Sequence, residues 1–236
     1  MSAILLPPRL KYIASIVPSG SLVADIGTDH AHLPIYLIEN SITDKAIASD
    51  IVDGPIASAK KNIALHGLEE KIEVIKSDGL VKVFPLTPET IIIAGMGSET
   101  IRDIMSACDY SKEASPLFIL QPMTHVEVLR KYLIENGFSI LSESVIREAH
   151  RYYVVISAQF KEKQQHYFNL KDISENLIYE LGAICKDSSD DAESYLLWRK
   201  QTAEKTLSGL LKSDSASEKI DEISQLIEEI NKRLCK

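Results

Sequence analysis

The first apolar run of this chain ends at a lone glycine set among carboxylates: Val23-Ala24-Asp25-Ile26-Gly27-Thr28-Asp29-His30-Ala31-His32-Leu33-Pro34. Such a run, passing at once into a helical pattern, describes a strand that turns into a helix around a ligand. A dinucleotide fingerprint, G-x-G-x-x-G, uses its second glycine to bring the backbone against a pyrophosphate. Asp29 stands in that place, where a carboxylate repels a pyrophosphate but can face a cation or take part in chemistry. The motif therefore favours a cofactor with a positive centre and no bridging phosphates, of which S-adenosyl-L-methionine is the common one.

Four further constellations follow. Ala48-Ser49-Asp50-Ile51 puts Asp50 at the tip of a second apolar run, where a carboxylate can accept both ribose hydroxyls of an adenosine ligand. Ser77-Asp78-Gly79-Leu80 offers Asp78 to the exocyclic amine of an adenine. In Ala94-Gly95-Met96-Gly97-Ser98, two glycines allow close backbone approach and leave Met96 as an adaptable apolar side chain over a cleft. Leu120-Gln121-Pro122-Met123 joins an amide to a rigid proline that could present it to the edge of a base.

These motifs need elements to hold them. Five apolar runs, at 22–26, 46–49, 72–75, 90–94 and 117–120, alternate with helical patterns over 33–39, 55–66, 99–108 and 126–136, which predicts a parallel sheet. Each motif falls at the carboxyl end of a strand, where open α/β sheets bind ligands. Gly67 and Gly137 are placed to end the second and fourth helices. Runs at 139–143 and 152–160 lie too close for a helical crossover and should pair antiparallel. An amphipathic stretch, 8–17, precedes the first strand.

Beyond residue 160 the strand signal stops. Leu170, Ile173, Leu177, Leu181 and Ile184 share one helical face, and Tyr195, Leu196, Trp198, Leu207, Leu210 and Leu211 fit a second helix. Ile220, Ile223, Ile227, Ile230 and Leu234 form an a/d seam of about two heptads, short for an independent coiled coil. A small antiparallel bundle closing on itself is the favoured reading, with a monomer preferred to a dimer. The expected fold class is α/β: a Rossmann-like, mostly parallel sheet with an antiparallel last strand over 1–160, then a small all-helical, coiled-coil-like domain over 161–236.

Composition narrows the alternatives. The 236 residues carry 26 basic and 34 acidic side chains, net −8, so no basic footprint announces nucleic acid. Three cysteines without short spacing argue against disulfides and a zinc site, and no metal is expected. No run approaches a membrane span and no secretory pattern opens the chain, so the expected location is cytoplasmic, with no membrane partner.

Taken together, these motifs resemble the bacterial tRNA (adenine(22)-N(1))-methyltransferase family, class I S-adenosyl-L-methionine enzymes. The resemblance rests on the Arg9-Leu10 pair, on 25–34, 48–55, 77–80, 93–98 and 120–123, on Asn136-Gly137-Phe138, and on the late strand through Tyr152-Tyr153. Relatives often carry Ser at the position of Thr28, Gly at Ser98, Asn at Met123 and Glu at Val154. The resemblance implies cofactor contacts from Asp25, Gly27, Thr28, His30, Asp50, Ile51, Asp78, Gly79, Leu80, Gly95 and Met96. It implies substrate contacts from Arg9, Gly97, Gln121, Pro122 and Tyr153, and a helical tail that helps hold tRNA. Lys11, Lys60, Lys61, Arg102, Arg130, Lys131, Arg147, Arg151, Arg199, Lys200 and Lys205 are the pool from which phosphate contacts would come.

Adenine N1 has a free lone pair and needs no prior deprotonation, while its methylation leaves a cationic ring. Asp29 is the candidate catalytic group, accepting from N6 as charge develops. His30 and His32 are second-choice acid/base groups. Two rival readings share the sheet: a nicotinamide-dependent oxidoreductase, weakened by the missing glycines, and a non-catalytic RNA-binding or cofactor-sensing protein.

Overall fold

A computed structural model of the chain describes residues 4–109, 115–161, 175–182, 184, 189–212 and 217–234. In chain order its elements are α1 (Pro8–Ser15), β1 (Val23–Ile26), α2 (His32–Glu39), β2 (Ala46–Asp50), α3 (Asp53–His66), β3 (Ile72–Lys76), β4 (Thr90–Met96) and α4 (Ser98–Ser106). They continue with β5 (Leu117–Pro122), α5 (Val126–Glu135), β6 (Phe138–Glu148), β7 (Arg151–Phe160), α6 (Glu175–Leu181), α7 (Asp190–Leu210) and α8 (Ser217–Leu234).

The seven strands form one sheet in the order β3-β2-β1-β4-β5-β7-β6. The first five pair in parallel, whereas β7 runs antiparallel to both β5 and β6. Alternation along the strands supplies two apolar faces. Val23, Ile92, Ile119 and Val155 meet α1 and α2 on one face, and Ala46, Ala48 and Ile72 continue it toward α3. Ala24, Ile26, Ile91, Ile93, Phe118 and Leu120 meet α4 and α5 on the other.

The helix over 55–66 does end at Gly67, in the left-handed conformation at φ 65°. After α5 the left-handed glycine is one step later than the cap, which is Asn136. β6 runs five residues beyond its expected end. Its charged residues broke the apolar pattern, yet the ladder continues to Glu148↔Arg151 across a two-residue turn in which Ala149 holds φ 54°.

In the tail, Leu170 and Ile173 lie outside the described residues. α7 and α8 pack together, and of the expected seam only Ile230 is fully buried, with Leu226 buried beside it. The bundle also closes on the sheet, not only on itself: Leu177, Ile178, Leu181, Ile184, Tyr195 and Leu196 belong to the same apolar cluster as Leu129, Leu133 and Phe138. Beneath them lies a fully buried ion pair, Arg130 Nε to Glu143 Oε1 at 2.6 Å. Arg130 Nη1 also donates to the Tyr179 and Glu180 carbonyls, both at 2.9 Å, at the end of α6. Arg130 is therefore unavailable to phosphate, and Arg199 is spent on an ion pair with Glu180. No helix of the described residues is long and apolar enough to cross a membrane.

Candidate active site

The turn after β1 is tied to the end of β2. The backbone N–H groups of Gly27 and Thr28 both donate to the Ser49 carbonyl, at 2.8 and 2.9 Å. Gly27 holds φ 77°, a conformation that L side chains rarely adopt. A Cβ there would also collide with the Met96 methyl group. The same strand ends bring Asp50 near enough for its charge to act on Asp25. Asp25 keeps some solvent contact, but its carboxyl is surrounded by protein. Burial raises its pKa from 3.8 to about 6, the Thr28 hydroxyl partly opposes this, and the neighbouring Asp50 charge adds to it.

Several atoms in this cradle ask for a ligand. Ser49 Oγ is buried with no hydrogen-bond partner among the described residues, a condition that costs about 1–3 kcal/mol, and the buried Thr28 hydroxyl faces the Asp25 carboxyl. Asp50 Oδ1 accepts from the Val52 N–H at 2.8 Å, which fixes the carboxylate at the strand tip. Ile51 and Val52 are 54% and 55% exposed beside it, an apolar ledge at a polar rim, and Val52 was missed by sequence reading. At the end of β3, Asp78 is exposed and Gly79 turns at φ 51°. Leu80 is fully buried in the core, so only its backbone can meet a ligand. The donor set suits an adenosine compound carrying a positive centre.

β4 and β5 lose register between Ala94 and Met96, a bulge with Gly95 at φ 81°. The bulge turns the Met96 side chain onto Gly27, so this methionine buttresses the first turn. Gly97 precedes α4, and the loops are laced together by Met123 N–H to the Met96 carbonyl (2.8 Å) and Ser98 Oγ to the Thr124 carbonyl (2.7 Å).

A second cluster sits at the same edge, nearer the hairpin. Gln121 is fully buried; its Oε1 accepts from Arg9 Nη1 at 3.2 Å and its Nε2 donates to the Pro122 carbonyl at 2.8 Å. Its amide therefore holds Arg9 instead of facing a base. The Arg9 guanidinium lies 5.5 Å from the centroid of the Tyr153 ring, and its backbone N–H donates to Glu148 Oε2 at 3.3 Å. Glu148 had no spacing signal in the sequence, because only the strand pairing brings it to Arg9. Pro122 is buried behind the cluster.

Asp29 is 77% exposed and lies 3.3 Å from His30 Nε2. The His30 and His32 rings stack with centroids 5.4 Å apart. Burial, then the neighbouring His30, lowers the His32 pKa, with Asp29 opposing and His66 adding. This favours the neutral ring of His32, the first residue of α2. The carboxyl ends of β1, β2 and β3 thus bring one group together, and α1, β5 and β7 bring the other.

Residues 6–156 match the methyltransferase-domain family. The chain is 34% identical over 167 residues to a tRNA (adenine(22)-N(1))-methyltransferase of Bacillus subtilis, covering 71% of this chain and 70% of that protein. Among solved structures it resembles the B. subtilis m1A22 tRNA methyltransferase TrmK, with TM-score 0.84, 27% identity, and 98% and 99% of the two chains covered. It likewise resembles M. capricolum TrmK in complex with S-adenosyl-homocysteine, with TM-score 0.80, 31% identity, and 98% of each chain covered. A β1 turn built on one glycine and two carboxylates, a sheet with an antiparallel β7, and these likenesses along its length agree: the chain belongs to the tRNA (adenine(22)-N(1))-methyltransferase family.

Proposed function

We infer that this chain transfers a methyl group from S-adenosyl-L-methionine to N1 of adenine 22 in tRNA. The observation that carries the reading is the joint placement of both residue clusters at the carboxyl edge of one sheet, with a Ser49 hydroxyl that has no partner among the described residues in the cradle between β1 and β2. S-adenosyl-L-methionine supplies an electrophilic methyl group on a sulfonium centre. Asp50 would accept the ribose hydroxyls, Asp78 the adenine amine, and Asp25 would answer the positive charge. Ile51 and Val52 would cover the adenine face, with backbone groups of Gly27, Thr28, Gly79, Leu80 and Gly95 closing around the rest. His30, exposed beside Asp29, would border the same pocket.

On the substrate side Asp29 accepts from N6 and stabilises the cationic ring as it forms, in a reaction for which alignment supplies much of the rate. Gln121 and Glu148 position Arg9, while Tyr153 and the backbone of Gly97 steady the base. Because N1 belongs to the Watson–Crick edge, the enzyme acts on an unpaired or extruded nucleotide, at a cost of a few kcal/mol. We assign methyl transfer to residues 1–160 and tRNA holding to 161–236, in a monomer working in the cytoplasm.

The test is transfer of labelled methyl to bulk bacterial tRNA lacking the modification, with nuclease mapping of the labelled base. Label in 1-methyladenosine at position 22 is the expected result. No transfer by protein that still binds S-adenosyl-L-methionine would overturn the assignment.

A further inference from the structure

The β6–β7 hairpin carries a second set of rings that the methyl-transfer site does not use. Successive strand residues point to opposite faces of a sheet, so Tyr152 looks away from the Arg9 and Tyr153 cluster, toward α7. There Tyr152, Tyr195 and Trp198 form a triangle with ring centroids 5.8, 5.9 and 5.7 Å apart. Tyr195 is the buried anchor, its hydroxyl accepting from Arg199 Nη1 at 3.2 Å. Trp198, the single tryptophan of the chain, is 46% exposed, and Leu197 beside it is 43% exposed.

Cations rim this surface. Arg147 faces Tyr152 across the ladder with its guanidinium carbon 6.0 Å from the ring centroid, and Arg147, His150 and Arg151 are all exposed at the hairpin tip. Asp191 of α7 engages Arg147 through the backbone N–H, at 2.9 Å. In a chain of net charge −8, a basic tip beside a half-exposed indole is a local exception. Arg147 is also sequence neighbour to Glu148, which holds Arg9, so a polynucleotide can run from one cluster to the other round a single strand end.

We propose that this patch is a stacking platform for RNA: an unpaired base of the substrate, other than the one methylated, lies on Trp198 while Arg147, on the same face, meets a flanking phosphate. Every base has a π face, so such stacking holds RNA without reading its sequence, and guanidinium groups over rings add to it. The proposal rests on RNA being the substrate.

Because the chain has one tryptophan, its fluorescence reports on the platform directly. Titration with unmodified tRNA should quench Trp198 saturably, and Trp198→Ala should weaken tRNA binding roughly five- to hundredfold, the loss of one base–ring stack. The change should fall on KM for tRNA, with S-adenosyl-L-methionine affinity kept as the check on folding. Trp198→Phe should recover much of the loss, and Arg147→Gln should lower the salt dependence of binding. Unquenched fluorescence together with wild-type tRNA affinity in Trp198→Ala would overturn the platform while leaving methyl transfer intact. Saturable quenching by tRNA without methyl transfer would support the platform and count against the proposed reaction instead. Self-association that is lost in Trp198→Ala, without any effect of tRNA, would assign the patch to a second copy and overturn the RNA reading.

Discussion

The Asp25 carboxyl lies under protein cover, where burial disfavours its charge, and the negative charge of Asp50 adds to that unless a cation answers it. Its pKa of about 6, against 3.8, means that the folded state binds the proton more tightly than the unfolded chain. The stabilising contribution is therefore complete below the ordinary value and is lost as pH rises through about 6, amounting to about 3 kcal/mol across that window. Urea unfolding of the free protein between pH 4 and 8 should show this decline, and Asp25→Asn should flatten it and be the more stable at pH 7. A cationic cofactor favours the ionised form, so S-adenosyl-L-methionine affinity measured by calorimetry should rise with pH through about 6 in the wild type and not in Asp25→Asn. Asp29 differs, being open to solvent and beside His30. Asp29→Ala should leave cofactor affinity within about threefold but lower the single-turnover rate at least about a hundredfold, as expected for a lost electrostatic contact to the transition state. An unchanged single-turnover rate would remove Asp29 from the chemistry.

Among the elements, α6 has the most particular attachment. Its last turn rests its carbonyls on the Arg130 guanidinium, which is locked in turn to Glu143 of β6, with no exposure on either side chain. Gly182, at φ 54°, follows so closely that a Cβ would run into both partners. Arg130→Ala would remove the guanidinium from beside the buried Glu143 carboxylate and should destabilise the protein by about 3–5 kcal/mol. Replacing both partners, Arg130→Met with Glu143→Leu, should recover most of that loss, because an ion pair replaced by packed apolar side chains leaves no unpaired charge. Chemical denaturation of the single and double variants checks this, and a double variant as unstable as Arg130→Ala would show that the bonds to α6, not the charge, dominate.

For the whole molecule, the shared apolar cluster joins the tail to the sheet. Removing everything after Gln159 would uncover Leu129, Leu133 and the β6 face, and would leave the Arg130–Glu143 pair open to water. The truncated chain should therefore unfold at a temperature at least about 10 °C lower and lose cofactor binding along with its fold, a shift within the reach of several lost core contacts. Calorimetric scanning of the two lengths tests it. A truncated chain with an unchanged melting temperature and normal cofactor affinity would show that the sheet stands without the helices.

Much of this protein was legible from one dimension, because the signals are local. Strand and helix periods, the lone Gly27 with its carboxylates, and the strand-end placement of Asp50, Asp78 and Gly95 depend only on neighbours in the chain, and they led to the parallel sheet, its antiparallel finish and the edge proposed here for the cofactor. Contacts between distant segments were not legible. Gln121 reads as an amide for a base until Arg9, 112 positions away, is found to occupy it. Arg130 reads as a surface cation until Glu143 and α6 enclose it, and Glu148 acquires a role only through the register of β6 with β7. Backbone periodicity and turn chemistry are written residue by residue, whereas the burial of a charge and the partner it finds are set by which surfaces meet when the chain closes on itself.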